Sequence, residues 1–223
     1  MKINASLMLT VTIALFGATQ EALAPVLVEN EPLHHVVLKN DSVIVMHLSL
    51  PAGARTLYHT HTRDRVAIEL CANSTTQQMW NEKEGAPSDG KPGEFNAITA
   101  PAEPFTHRVH NVGSLTYEVL DVEVFRRPES ASTATAVVAG ENPSARVYKW
   151  VLAPGATSTI HTHVRPYLIV AATAFNLKMT APDGKSFTHE LKAGDFHWVD
   201  TKVTHSLGNA GSAEGQILEV ELK

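Results

Sequence analysis

Histidines recur in this chain with a spacing that suits metal binding. Each of two pairs has its members one residue apart, and a third histidine lies far downstream of each pair. Residues i and i+2 of a β-strand point to the same face, so each pair would present two imidazoles to one interior. Three imidazoles suit Zn, Cu, Fe or Ni, and they leave coordination positions open for water or substrate. The predicted ligands are His59, His61, His107, His161, His163 and His205.

These histidines belong to an internal repeat of the chain. The two histidine pairs are offset by 161 − 59 = 102 residues, and the two downstream histidines are offset by 205 − 107 = 98 residues. A glycine lies six residues before each pair, at Gly53 and Gly155, and the strand-like segment 119–124 matches 217–222. The first copy is therefore longer between its motifs, and its polar segment 81–96 is predicted to form a surface loop.

Both copies have the sequence pattern of β-strands. Short runs rich in β-branched or aromatic residues, such as 43–48, 66–70 and 146–152, are bounded by Gly, Pro or Asn. Capped helical periodicity is hard to find. The sequence predicts an all-β fold with one sandwich or barrel per copy.

Composition narrows the class of partner and of site. The 223-residue chain has a formal net charge of −5, which argues against nucleic acid or an anionic membrane as partner. Cys71 is the one cysteine, so an intrachain disulfide and a multi-thiolate metal site are both excluded.

The first residues resemble an export signal. Lys2 is followed by the mostly apolar segment 7–16, and Ala22-Leu23-Ala24 offers a small-x-small cleavage pattern, although Pro25 after the cut is unfavourable. We expect a periplasmic or secreted protein that has no membrane contact after cleavage. The expected organisation is a signal peptide at 1–24, a first barrel at 25–128, a linker at 129–139 and a second barrel at 140–223.

The two motifs resemble those of the cupin superfamily, and their duplication resembles a bicupin. The usual first motif is G(x)5HxH(x)3,4E(x)6G, and the usual second motif ends in H(x)3N. Here the first motif keeps its glycine and both histidines in each copy, and the second keeps its histidine and asparagine. The matching asparagines are Asn111 and Asn209. The resemblance implies two double-stranded β-helix, or jelly-roll, barrels in tandem.

One ligand of the cupin motif is missing. The glutamate should fall at 65 or 66 and at 167 or 168, but those positions hold Arg65, Val66, Tyr167 and Leu168. The resemblance then implies sites of three neutral imidazoles, which puts manganese-type oxalate chemistry in doubt. It is closer to the three-histidine iron cupins, such as the cysteine, gentisate and β-diketone dioxygenases.

The residues that replace the glutamate are candidate catalytic residues. Arg65 either pairs with a carboxylate or phenolate substrate or turns outward and leaves the first site with weak metal affinity. Tyr167 either donates a hydrogen bond or relays a proton near the second metal, or it packs in the core. We favour the second barrel as the active one, because it lacks the adjacent cation.

The sequence favours an exported three-histidine non-haem iron dioxygenase that acts on a small oxygenated organic substrate. Fe²⁺ is the favoured cofactor, with Zn²⁺ or Ni²⁺ as alternatives. Two other functions stay open: a non-catalytic cupin that binds metal or a small molecule, and an O₂-independent isomerase or lyase. The expected partner is a small molecule, and a homo-oligomer is left open.

Overall fold

The computed structural model describes residues 24–125 and 133–223, and these are almost entirely β-structure. A single 3₁₀ turn, Val28–Asn30, is described beside the strands. The predicted signal peptide lies outside the described residues apart from Ala24, and so does the part 129–132 of the linker predicted at 129–139. Within the described ranges, no helix has the length and apolarity needed to cross a bilayer.

Ten strands are described in the first half of the chain. They are β1 (Val26–Leu27), β2 (His34–Lys39), β3 (Val43–Leu50), β4 (His59–His61), β5 (Arg65–Glu69), β6 (Asn73–Met79), β7 (Ser88–Gly90), β8 (Phe95–Ile98), β9 (Phe105–Asn111) and β10 (Tyr117–Val124). They form two sheets with the strand orders β1-β4-β9-β6-β7 and β2-β3-β10-β5-β8. The segment 81–96, predicted as a loop, is largely exposed but contains β7 and the first two residues of β8.

The second half repeats this arrangement with nine described strands. They are β11 (Gly140–Glu141), β12 (Ala145–Leu152), β13 (His161–His163), β14 (Tyr167–Ala171), β15 (Phe175–Thr180), β16 (Ser186–Leu191), β17 (Phe196–Val199), β18 (Val203–Asn209) and β19 (Gly215–Leu222). Their sheets have the orders β11-β12-β19-β14-β17 and β13-β18-β15-β16. The prediction of an all-β fold with two tandem jelly-roll barrels is confirmed.

Strand alternation divides the side chains between two environments. In β5, Val66 and Ile68 join a buried apolar cluster, and Leu168 and Val170 of β14 join the same cluster from the second barrel. The alternate residues of these strands, including Arg65 and Tyr167, face the other way and line the barrel interiors. The shared core therefore holds the two barrels together, and the opposite face of the same strands is free to carry chemistry.

The turns before the histidine pairs depend on glycine. Gly53 and Gly155 have φ values of 74° and 77°, in the left-handed region that glycine adopts without a steric penalty. The amide of Gly53 donates a 2.9 Å hydrogen bond to the Asn111 carbonyl, and the amide of Gly155 donates one of the same length to the Asn209 carbonyl. These turns start the segments that lead into β4 and β13, and so they help to place the histidine pairs.

Candidate metal centres

The strands bring each predicted histidine set together. His59 pairs across β4 and β9 with His107, and His161 pairs across β13 and β18 with His205. The i+2 residues His61 and His163 share the face of the first histidine of their strand. All six rings are buried, and the potential ligand atoms of each set lie within 4.8 Å of one another. The structure therefore places the histidines as the sequence predicts, while metal ligation itself stays a prediction.

The first cluster turns three unprotonated nitrogens towards one point. The Nδ1 atoms of His59, His61 and His107 lie 2.9, 2.8 and 3.2 Å from the oxygens of the Leu57 carbonyl, Glu123 and Gln77. Because these oxygens accept hydrogen bonds, each Nδ1 carries the proton and each Nε2 keeps its lone pair. The Nε2 atoms of His61 and His107 are buried and lack a hydrogen-bond partner. This arrangement fits a bound cation.

The second cluster contains a carboxylate that the sequence analysis missed. Glu219 of β19 places its Oε2 atom 2.8 Å from Nε2 of His161. Its Oε1 atom lies 2.9 Å from Nε2 of His205 and 3.1 Å from Nε2 of His163. The expectation of three imidazoles alone is therefore corrected for this barrel. The first-motif glutamate is absent as predicted, and the acid comes from the last strand instead.

The acceptor atoms of the second cluster repel one another unless protons or a cation lie between them. Nδ1 of His161 is 3.0 Å from the Thr159 carbonyl, so in the neutral ring Nε2 is an acceptor. That acceptor faces the Glu219 carboxylate and, at 3.0 Å, Nε2 of His205. Either additional protons or a cation must separate these groups. Three imidazoles with one carboxylate are a donor set that transition metals accept.

The pKa shifts of the histidines differ between the two clusters, because only the second cluster contains a carboxylate. Burial, followed by the neighbouring His34 and His61, lowers the pKa of His59 to about 3, so this ring is neutral at pH 7. At His163 burial acts in the same direction, but the Glu219 and Glu221 carboxylates outweigh it and raise the pKa to about 9. Burial would raise the pKa of Glu219, yet its three histidine contacts hold it well below the usual value. Without a cation, protons balance the charge of the second cluster.

Each cluster has its own supporting contacts. In the first barrel, Glu31 accepts a 3.0 Å hydrogen bond from the amide of Leu57, whose carbonyl accepts from His59. In the second barrel, the indole Nε1 of Trp150 donates to Glu219 at 2.7 Å, and its ring stacks on His161. These contacts fix the orientation of the candidate ligands, as outer-shell partners do in metal sites.

Arg65 is directed into the first barrel and bonds an acid. Its Nη1 atom lies 2.8 Å from Oδ2 of Asp121, and both side chains are buried. The hypothesis that the Arg65 side chain turns outward is therefore wrong. Burial would raise the pKa of Asp121, but Arg65 and His61 hold it below its ordinary value.

Tyr167 lies beside the second cluster. Its ring stacks on His163 with the centroids 3.8 Å apart, and its hydroxyl is buried without a hydrogen-bond partner. Burial, followed by the charges of Glu219 and Glu221, raises the pKa of Tyr167, so the hydroxyl keeps its proton at neutral pH. It can therefore donate a hydrogen bond to a ligand.

A cavity of about 590 Å³ adjoins the second cluster. His205 and Tyr167 form part of its wall, and most of the remainder is apolar. Its apolar lining includes Ile169, Leu177, Met179, Phe187, Phe196 and Ile217. A smaller cavity of about 350 Å³ in the first barrel has a more polar wall that includes Glu69, Gln77 and Tyr117. The two barrels therefore present different environments to a small molecule.

The sequence did contain a signal for the missed acids. β19 carries Glu219 and Glu221 at alternate positions in a largely apolar strand, and β10 carries Asp121 and Glu123 in the same way. Two acids on one face of a buried strand need partners, and the barrel interior offers the histidines. The cupin motif itself places its acid only in the first motif, so it does not point to these strands.

Comparison with known proteins supports the same fold. No protein-family model matches the chain. The β-alanine degradation protein BauB of Pseudomonas aeruginosa is 31% identical over 97 residues, which are 44% of this chain and 97% of BauB. AerE of Microcystis aeruginosa superimposes with a TM-score of 0.58 at 12% identity, covering 86% of this chain and 98% of AerE. A cupin 2 conserved barrel domain protein of Leptotrichia buccalis gives 0.51 at 14% identity, covering 84% and 87%.

At these low identities the two structural matches show the fold alone, and BauB aligns over nearly its whole length. The chain itself has two jelly-roll barrels, and each barrel has a histidine cluster at the positions of the cupin motifs. The chain belongs to the cupin superfamily and is a bicupin.

Proposed function

We propose that this bicupin is a metal-dependent enzyme whose second barrel is catalytic. Its ligands are His161, His163, His205 and Glu219, its favoured cofactor is Fe²⁺, and its favoured reaction class is dioxygenation. The observation that carries the proposal is the convergence of three imidazole nitrogens and one carboxylate beside a cavity of about 590 Å³.

The choice of metal rests on the donor set. Histidine with carboxylate ligation and open positions is typical of non-haem Fe²⁺ oxygenases. The sequence disfavoured Mn²⁺ because no oxygen ligand was expected. The carboxylate of Glu219 supplies such a ligand, so Mn²⁺ joins Zn²⁺ and Ni²⁺ as an alternative. When bound, Fe²⁺ supplies a Lewis acid for an oxygen-bearing substrate and the redox chemistry that O₂ requires.

The cavity defines the class of substrate. Its wall beside His205 is mostly apolar, and the unpartnered hydroxyl of Tyr167 is one of the polar groups near the cluster. A small, largely apolar molecule with one metal-binding oxygen group fits this wall, because its apolar part loses little on leaving water. BauB is named for β-alanine degradation, but a zwitterion such as β-alanine is poorly suited to so apolar a wall.

The protein's own residues have separable tasks in this proposal. The apolar wall excludes water from the substrate, and Tyr167 donates a hydrogen bond to a substrate oxygen. Trp150 holds the Glu219 carboxylate in the ligand position. We also propose that the protein acts outside the cytoplasm, on the basis of the signal peptide predicted at 1–24.

Oxygen uptake by the reconstituted protein tests the proposal. Chelator-treated protein is loaded with Fe²⁺ without air and offered catechols, gentisate, diketones, thiols and β-alanine. We expect uptake that needs one of the apolar oxygen-bearing substrates, that is lost in Glu219→Gln and His163→Ala, and that persists in the first-barrel variant His61→Ala. Firm metal binding without turnover of any substrate would favour the non-catalytic binder, and conversion without O₂ would favour the isomerase or lyase.

A further inference from the structure

Arg65 and Tyr167 occupy equivalent positions in the two barrels. Arg65 pairs with Glu123 and Ile98 on the neighbouring strands, and Tyr167 pairs with Glu221 and Val199. Asp121 and Glu219 are equivalent by the same registers, since they pair with Ala67 and Ile169. Each barrel therefore has the same acid position, with a different neighbour beside it.

The neighbour decides where the acid points. In the second barrel, Tyr167 carries no charge, and Glu219 contacts all three histidine Nε2 atoms. In the first barrel, Asp121 is one methylene shorter and bonds Arg65. Asp121 lies 3.9 Å from Nδ1 of His61, on the opposite side of that ring from the candidate ligand atom Nε2.

The ionic consequence for a bound cation is large. A divalent ion in the second cluster meets a carboxylate ligand, whereas one in the first cluster meets neutral imidazoles with a guanidinium close by. Charges in a buried site interact strongly, because little water screens them. The position of Arg65 is also fixed from behind, because Asn142 donates a 3.0 Å hydrogen bond to its carbonyl oxygen.

We propose that Arg65 is the residue that makes the two metal sites unequal. By holding Asp121 and adding a positive charge, it keeps the first cluster as a weak, three-imidazole site, while the second cluster binds the first equivalent of metal. This inference concerns cation affinity alone and holds whether or not the second barrel performs oxygenation.

Calorimetric titration of the chelator-treated full chain with Co²⁺ tests this proposal. We expect the wild type to bind one ion tightly and a second at least about ten-fold more weakly, the range that outer-shell groups control. His61→Ala should remove the weak event and His163→Ala the tight one. Two events of equal affinity in the wild type would overturn the proposal.

Exchange of the paired residues sharpens the test. Arg65→Tyr with Asp121→Glu copies the second barrel's pair into the first, and we expect the weak event to tighten by at least about ten-fold. The control is Arg55→Gln, since Arg55 is a first-barrel arginine that contacts Glu84 near the surface at 2.9 Å. Its titration should match the wild type.

A separate variant tests the role of Arg65 if circular dichroism shows that the double exchange prevents folding. Glu219→Gln removes the carboxylate that distinguishes the second cluster, so its affinity should fall towards that of the first. A folded double variant with an unchanged weak event, or a Glu219→Gln protein whose two affinities stay as far apart as before, would contradict the role of Arg65.

Discussion

The indole nitrogen of Trp150 donates a 2.7 Å hydrogen bond to the Glu219 carboxylate, while the same ring stacks on His161 at 4.8 Å. One side chain thus orients two candidate ligands of the second cluster. The equivalent of Trp150 in the first barrel is Leu48, which pairs with Val119 as Trp150 pairs with Ile217. Leucine cannot make this hydrogen bond, so the support is specific to one barrel.

Replacing Trp150 with phenylalanine should therefore weaken metal binding. Trp150→Phe keeps an aromatic ring against His161 but removes the N–H that holds Glu219. We expect the affinity of the tight site to fall by about ten-fold, as for other outer-shell partners. Competition with a chromophoric chelator measures the change, and Trp80→Phe, which alters a ring packed on Tyr58 in the first barrel, is the control. An unchanged affinity would show that Glu219 is held by other contacts.

The hydroxyl of Tyr167 should contribute to ligand binding and little to stability. Because it is buried without a partner, Tyr167→Phe should change the free energy of unfolding by less than about 1 kcal/mol. Substrate turnover should fall by about five- to ten-fold in kcat/KM, the value of one lost hydrogen bond.

Tyr148→Phe is the matched comparison for Tyr167→Phe. The Tyr148 hydroxyl donates to Glu221 at 2.9 Å, so its loss should cost about 1–2 kcal/mol in chemical denaturation. If Tyr167→Phe is the more destabilising variant and turnover is unaffected, Tyr167 serves only the core.

Metal binding at the second cluster should release a proton. The pKa of His163 is raised to about 9, so the ring is protonated at pH 7 without metal, whereas a metal ligand must be neutral. The affinity should therefore increase with pH by about ten-fold per unit up to about pH 9. Titrations in two buffers of different ionisation enthalpy should report about one proton per ion at pH 7. A pH-independent affinity would contradict this coupling.

Glu69 should make the first barrel less stable as pH rises. Burial raises its pKa to about 7, while bonds from Tyr117 and Asn73 oppose this shift. A raised carboxyl pKa means that the folded state holds the proton more tightly, so the stability that depends on Glu69 is greatest below about pH 4.5, falls between about pH 4.5 and 7, and is constant above that.

Comparison of Glu69→Gln with the wild type isolates that effect. Glutamine keeps much of the shape but does not ionise. Between pH 5 and pH 8 the wild type should lose about 2 kcal/mol of unfolding free energy relative to the variant. Urea denaturation at the two pH values measures this difference, and parallel pH profiles would show that the carboxyl is not perturbed.

The fold and the histidine clusters follow from local pattern in the sequence. The i, i+2 spacing of His59 and His61, and of His161 and His163, requires only strand alternation to become a shared face. The repeat then supplies the pairing partners at the same offset in both barrels. Short strands bounded by turn residues, such as Val43–Leu50, are also predictable from the sequence.

The fourth candidate ligand could not be placed in this way. Glu219 lies 56 residues beyond His163 in the chain (219 − 163 = 56), and its approach depends on barrel closure and on which face of β19 points inward. The direction of Arg65 likewise depends on a partner, Asp121, that is distant in sequence. The cavity wall is assembled from several strands, so its apolar character was not visible in any one segment.

The central claim, that His161, His163, His205 and Glu219 hold a metal ion, is tested by the metal content of the purified protein. Protein purified without a metal-chelating tag is analysed by elemental analysis, as wild type and as Glu219→Gln, His163→Ala and His61→Ala, with folding confirmed by circular dichroism. We expect Glu219→Gln and His163→Ala to lose most of the tightly bound metal and His61→Ala to keep it. Folded Glu219→Gln and His163→Ala proteins with the wild-type metal content would contradict this claim.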